Sequence, residues 1–224
     1  MISLKKELKD KERGRIMYTC AVCSEKACKK GQGDKYPKNC PSREVEKLEE
    51  IREMYDEENL KIAYNAALVE SQGYCKWTRI EEIIDFANKC GYKNLGLAFC
   101  TGLSKEALIC YKILKHHGFE VNSIICKNGS IPKEFLNIQE HEKVRPNSYE
   151  PMCNPIGQAE FLNKMNTDFN ILLGLCVGHD SLFFKYTKAP TTVLAVKDRV
   201  LCHNPISALY LSEGYYKKKL YPQD

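Results

Sequence analysis

From residue 76 onward the apolar positions follow two alternating patterns. NLGLAFC (94–100), VNSIIC (121–126), FNILLGLC (169–176) and TTVLAV (191–196) are near-continuous apolar runs of strand length. Between them, apolar residues recur at helical spacing. Ile80, Ile83, Ile84 and Phe86–Ala87 mark one helix, which Thr78 and Glu81 open as a capping box and Gly91 stops. A second runs from Ser104 to His117, with Gly118 at its end. Asn154–Pro155 opens a third, with Pro at the first helical position, and Asn204–Pro205 opens a last one through ISALYLSEG. Strands alternating with helices predict a parallel sheet covered on both faces, and uninterrupted apolar strands fit that burial. The expected fold class is α/β: a Rossmann-like three-layer arrangement around a parallel sheet of about four strands.

Upstream the pattern changes twice. Val45, Leu48, Ile51 and Met54–Tyr55, then Leu60, Ala63, Tyr64, Ala67 and Leu68, recur at helical spacing, with Ser42 placed to cap and Gly73 to terminate. Residues 16–41 carry four Cys, two Gly and two Pro and have little apolar periodicity, so they cannot bury a core. Residues 1–15 read as a charged lead-in or a short helix. The chain therefore divides into a Cys-rich module (1–41), a helical hairpin (42–75) and the α/β domain (76–224). The loop 127–152 is long for a compact domain, which points to a task or to mobility.

Composition bears on what the chain does. The 224 residues carry a net charge of +5, but Lys and Arg are interspersed with acids, the pattern of a solvated surface and not of a nucleic-acid footprint. No run approaches the roughly 20 apolar residues of a membrane span, and nothing at the N-terminus reads as a signal peptide. The cytoplasm is the expected compartment. There the twelve cysteines point to metal, redox chemistry or catalysis, with some serving as core residues. No dinucleotide fingerprint and no phosphate loop occur.

Cys20, Cys23, Cys28 and Cys40 follow the spacing Cys-x2-Cys-x4-Cys-x11-Cys-Pro. Two thiolates in one turn grip a metal and two later ones complete a tetrahedral set, coupling metal to folding. Zinc and an iron–sulfur cluster (4Fe-4S) both accept four thiolates. A zinc ribbon would use two Cys-x-x-Cys knuckles, and only one is present; Pro41 after the fourth Cys resembles bacterial ferredoxins. Lys26, Lys29, Lys30, Lys35 and Lys38 would offset the negative charge of either centre. The plain alternative is four unconnected thiols.

A second constellation sits at strand ends. Cys100, Cys126 and Cys176 end the first three strands, and Cys153 directly precedes the Asn154–Pro155 helix start. In an open parallel sheet all carboxyl ends share one edge, where ligands bind. Helix N-termini nearby favour thiolate over thiol. Gly102 and Gly178 would let a bound cofactor approach the backbone. His179, Asp180, Lys197 and Asp198 should reach the same edge, with Cys176, His179, Asp180 and Lys197 as catalytic candidates. Three readings stand side by side: a shared metal or cluster held by Cys100, Cys126, Cys153 and Cys176, a catalytic nucleophile among them, or packing. Cys75, Cys90 and Cys110 read as structural.

The N-terminal cysteines together with A-F-C-x-G, C-K-x-G, C-N-P-I-x-Q-A, G-L-C-V-G-H-D, V-K-D-R and H-N-P-x-x-A-L-Y resemble a family known as domain of unknown function 1847. The similarity spans about residues 18–211. Its members come largely from anaerobic bacteria and archaea and are described as metal-binding. The resemblance implies metal binding in an anaerobic setting, and marks the eight cysteines of both constellations with Gly178, His179, Asp180, Lys197, Asp198 and Asn204. It implies no reaction.

The leading expectation is an iron–sulfur or zinc protein whose second, strand-end site handles electrons or activates a small molecule. Its partner would be an electron-transfer protein or that small molecule. Two rivals remain: a thiol enzyme with a structural zinc, using Cys176 or Cys100 as nucleophile and His179 as base, and a metal-dependent interaction module.

Overall fold

The computed structural model describes residues 17–222. The lead-in expected over residues 1–15 lies outside them. The chain forms two compact units, Met1–Tyr64 and Asn65–Asp224. The division falls inside a helix, so each unit is described by itself.

In the first unit, residues 17–44 are built from short turns. Cys23 donates its N–H to the Cys20 carbonyl (3.3 Å), closing the Cys-x-x-Cys turn, and Cys40 donates to Pro37 (3.0 Å). Asn39 donates through Nδ2 to Thr19 Oγ1 (2.7 Å) and to the Met17 carbonyl (3.1 Å). Arg43 Nε donates to the carbonyls of Tyr36 (2.8 Å) and Pro37 (3.0 Å). Side chains thus hold together what apolar burial cannot. Helix α1 (Val45–Glu53) follows, then α2 (Glu57–Gly73), whose second half belongs to the other unit.

The second unit is the expected α/β fold. Helix α3 spans Arg79–Cys90, β1 Asn94–Phe99, α4 Ser104–His116, β2 Glu120–Ile125, α5 Pro155–Lys164, β3 Phe169–Leu175, α6 His179–Tyr186 and β4 Thr191–Val196. The four strands form one parallel sheet in the order β2-β1-β3-β4. Helices α3 and α4 cover one face, where Ile83, Ala87 and Ala107 pack with Leu95, Leu97 and Ile171. On the other face Ala159, Leu162 and Phe183 of α5 and α6 pack with Ala98, Leu172 and Leu175. This is a Rossmann-like three-layer sandwich. Among the described residues no helix is long and apolar enough to cross a membrane.

The caps of α3 and α5 form where the sequence put them, whereas Ser42 does not cap α1, whose N-cap is Glu44. Glu81 Oε2 accepts from the Thr78 N–H (2.7 Å) and hydroxyl (2.6 Å) at the start of α3, and Gly91 ends it at φ +73°. Asn154 Oδ1 accepts the Gly157 N–H (2.9 Å) at the start of α5. The last expected helix is short: α7 covers only Ile206–Tyr210, followed by α8 (Lys217–Leu220). Ile206, Leu209 and Tyr210 are exposed, so nothing packs there to extend helix beyond its own weak propensity. The loop 127–152 is a folded excursion, with Pro132 bridged to Pro151 and Lys143 inserted between Glu134 (2.6 Å) and Glu140 (2.7 Å).

One strand position has no spare room. A Cβ on buried Gly96 would lie 1.9 Å from Asn170 Oδ1 and 2.9 Å from Leu162 Cδ1. Fully buried Asn170 is itself committed, accepting from Thr167 Oγ1 (2.9 Å) and donating to Thr187 Oγ1 (2.9 Å). Gly96→Ala should lower stability by about 2–4 kcal/mol, from overpacking plus a strained buried hydrogen bond. The midpoint of urea unfolding measures it, and an unchanged midpoint would contradict this packing.

Candidate functional site

The strand order reverses direction between β1 and β3, and the chain residues that follow the strands gather at that carboxyl edge. Cys100 follows β1 directly and donates its N–H to Leu173 of β3 (3.1 Å). Cys126 follows β2 and donates to Phe99 of β1 (2.9 Å). Buried Gln158 of α5 ties both strand ends from below, its Nε2 donating to Phe99 (3.2 Å) and Ile124 (2.7 Å).

Cys153 arrives from the far end of the excursion. The neck is shut by the Asn154 N–H donating to the Cys126 carbonyl (2.7 Å) and by paired side chains. Asn154 Nδ2 donates to Asn128 Oδ1 (3.0 Å), while Asn128 Nδ2 donates to the Asn154 carbonyl (3.0 Å). Gly157 leaves the space these amides fill, since a Cβ there would lie 2.3 Å from Asn128 Oδ1. Cys126 and Cys153 are thereby held side by side.

The result is a row of three sulfurs. Cys126 lies between Cys100 and Cys153, and both act on its titration. The hydrogen bond from Cys126 holds the Cys100 thiol well below its usual range, helped by the Gly102 N–H and the Lys197 ammonium and opposed by burial. Cys153 is lowered likewise, first by Cys126, then by a hydrogen bond from His179, with Lys127 adding to it. Cys126 is pushed up by its two neighbours and by burial, although the Thr101 N–H donates to its Sγ (3.3 Å). Cys100 and Cys153 are thus drawn toward the thiolate and Cys126 toward the thiol. His179 is raised by its hydrogen bond to Cys153.

Cys176 stands beside the row. Arg199 Nη2 donates to its Sγ (3.2 Å), which raises the guanidinium further, and the charges of Cys100 and Cys153 also act on Arg199. His179 acts on Cys153. Lys197 serves Cys100. Gly102 lies against Lys197, its Cβ position 3.5 Å from Nζ, whereas Gly178 faces open space and supplies a φ of +82° ahead of α6. Asp180 accepts the Ser181 N–H (2.8 Å) and acts on His179 only through its charge. Asp198 turns inward to the N–H groups of Val200 (2.9 Å) and Leu201 (2.8 Å), and Asn204 closes the same turn.

Lys127, Arg199 and Gly174 were not singled out in the sequence. Lys127 and Arg199 are basic residues next to strand ends, a signal open to a reader. Gly174 is not: at φ +70° inside β3 it sits at the register shift between β3 and β4, and a Cβ there would lie 2.1 Å from Leu103 Cδ1.

In the first unit, Cys20, Cys23 and Cys40 line one cavity, while Cys28 is not among its lining residues. Among the described residues no group of three or more His, Cys, Asp or Glu is arranged to hold a metal ion. Cys90 and Cys110 are buried, as structural residues would be, while Cys75 is exposed.

The family description "Protein of unknown function (DUF1847)" matches residues 40–194, which contain all three sulfurs of the row, Cys176 and His179. This is narrower than the resemblance over residues 18–211. An uncharacterized protein, MJ0455, of Methanocaldococcus jannaschii is 49% identical over 201 residues, covering 90% of this chain and 97% of that protein. No solved structure matches significantly. The chain belongs to the DUF1847 family.

Proposed function

We propose that the strand-end centre is a thiol–disulfide redox couple, with Cys153 as attacking thiolate and Cys126 as resolving thiol. The observation that supports this reading is the gathering of Cys100, Cys126 and Cys153 at one sheet edge, where the Asn154 N–H donating to the Cys126 carbonyl (2.7 Å) brings Cys153 next to Cys126. Disulfide exchange needs an attacking thiolate and a second thiol within reach of its sulfur. Cys153 Sγ attacks one sulfur of a disulfide substrate, the S–S bond breaks, and the departing thiolate takes a proton from His179. Cys126 then passes its proton to Cys100, attacks Cys153 Sγ and expels the second substrate thiolate. Two electrons leave the protein, which keeps a Cys126–Cys153 disulfide until an external dithiol reduces it. Such a couple suits a reducing compartment, the cytoplasm.

The N-terminal module supports a second reading, zinc or a 4Fe-4S cluster on Cys20, Cys23, Cys28 and Cys40. Three of these thiols line one cavity, and the soft donor set fits either group. The bound group would supply the fold stability that residues 17–44 lack. A metal shared by Cys100, Cys126, Cys153 and Cys176 is the competing account of the strand-end centre.

Three measurements test these readings. A lowered thiol pKa means that thiolate persists below the ordinary range near pH ~8.5 and is lost only as pH falls through the lowered value. Iodoacetamide should therefore label Cys153 and Cys100 at pH about 6, while Cys110, pushed up to about 11 by burial, stays unlabelled. His179→Gln should move the Cys153 midpoint upward; an unmoved midpoint would sink the pairing. Cys126→Ser should trap the substrate as a mixed disulfide on Cys153, visible by mass spectrometry, and release of both substrate thiols from that variant would refute the resolving role. Metal and sulfide analysis of anaerobically purified protein should find metal that is lost on Cys20→Ser or Cys40→Ser. Metal lost instead on Cys100→Ser or Cys153→Ser would overturn the disulfide reading and favour the shared-metal account.

A further inference from the structure

Three permanent cations, Lys127, Lys197 and Arg199, stand at the sulfur row, and Arg199 Nη2 donates to Cys176 Sγ at 3.2 Å. Lys197 bears on Cys100, Lys127 on Cys153, and Arg199 on Cys176, Cys100 and Cys153 together. Lys197 stands among these groups: its Nζ lies 3.5 Å from the Cβ position of Gly102, which is itself 3.9 Å from Cys100 Sγ, and 3.6 Å from that of Gly174. Arg199 is exposed, and so are Gly102, Val177 and Gly178, so the centre opens to solvent. Two carboxylates face it. Asp180 offsets His179, and Asp198 is turned to the backbone N–H groups of Val200 and Leu201. Lys127 also donates to the Pro151 carbonyl, which fixes it without neutralising it. When Cys153 attacks, its negative charge is consumed and the cations around it lose a partner.

We infer that the substrate is a small anionic disulfide, whose carboxylate, sulfonate or phosphate group is held by Lys197 and Arg199 beside the sulfur row. This rests on the disulfide reading above and adds the class of molecule. The anionic group takes up the attraction that the thiolates leave unused, and the same cations stabilise the thiolate that departs. A neutral disulfide gains nothing from them, and a cationic one is repelled.

Three disulfides of similar size separate these cases: 3,3′-dithiodipropionate (a dianion), bis(2-hydroxyethyl) disulfide (neutral) and cystamine (a dication). Thiol release is followed in a single turnover with the full-length reduced protein, and each rate is divided by that of a free small thiol with the same disulfide. The normalised rate should be highest for the dianion, about tenfold above the neutral compound, and lowest for the dication. The spread should narrow with added salt, because exposed charges are screened. Arg199→Gln should pull the dianion-to-neutral ratio toward one, and Arg199→Lys should keep most of it. Equal normalised rates, or a preference for cystamine, would overturn the anionic class while leaving the redox couple intact. If none of the three yields a Cys126–Cys153 disulfide by mass spectrometry, the redox reading fails and this inference with it.

Discussion

A thiolate drawn half out of water persists only where donors or cations replace the solvent it has lost. At the carboxyl edge of this sheet each sulfur finds its own replacement. Cys100 has the Gly102 N–H and Lys197, Cys153 has His179 and Lys127, and Cys126, pushed up by both neighbours and by burial, sits between the two. The three-layer fold makes this possible because it buries the strands and leaves their ends at one open margin. Here that margin is polar, while everything beneath it, from Leu97 to Ile171, is sealed from water.

The strands were legible because a sheet covered on both faces requires runs such as FNILLGL, and few other structures do. Parallel topology then implied that cysteines far apart in sequence would meet, and Cys100, Cys126 and Cys153 do. The individual pairings were not legible. Whether His179 reaches Cys153 or Cys176 depends on the bulge at Gly174 and on the turn at Gly178, which rotate the chain after β3 by amounts no periodicity encodes. Arg199 was overlooked for the same reason, since its reach to Cys176 follows from the tight turn that Asp198 organises. The short C-terminal helix shows the opposite failure: ISALYLSEG has helical spacing, but exposed Ile206 and Leu209 give that spacing nothing to pack against.

The two cysteine sets pose different physical problems. Around Cys20 and Cys40 the backbone is held by turns and by Asn39 and Arg43, with Ala27 as a buried apolar residue. Stability there must come from something other than area removed from water. At the sheet edge the scaffold is already rigid, and the sulfurs are additions to it.

The paired amides of Asn128 and Asn154 close the excursion at its neck, and Met152 donating to Ile131 (2.7 Å) and Lys133 to Glu150 (3.1 Å) repeat the closure further out. Everything beyond that neck is mechanically isolated from the sulfurs. Lengthening a closed loop costs only about (3/2)RT ln n in chain entropy, so the tip from Phe135 to Tyr149 can be rewritten or extended without disturbing the pair it connects. The excursion is therefore the part of this molecule whose length can change at the smallest cost to the fold.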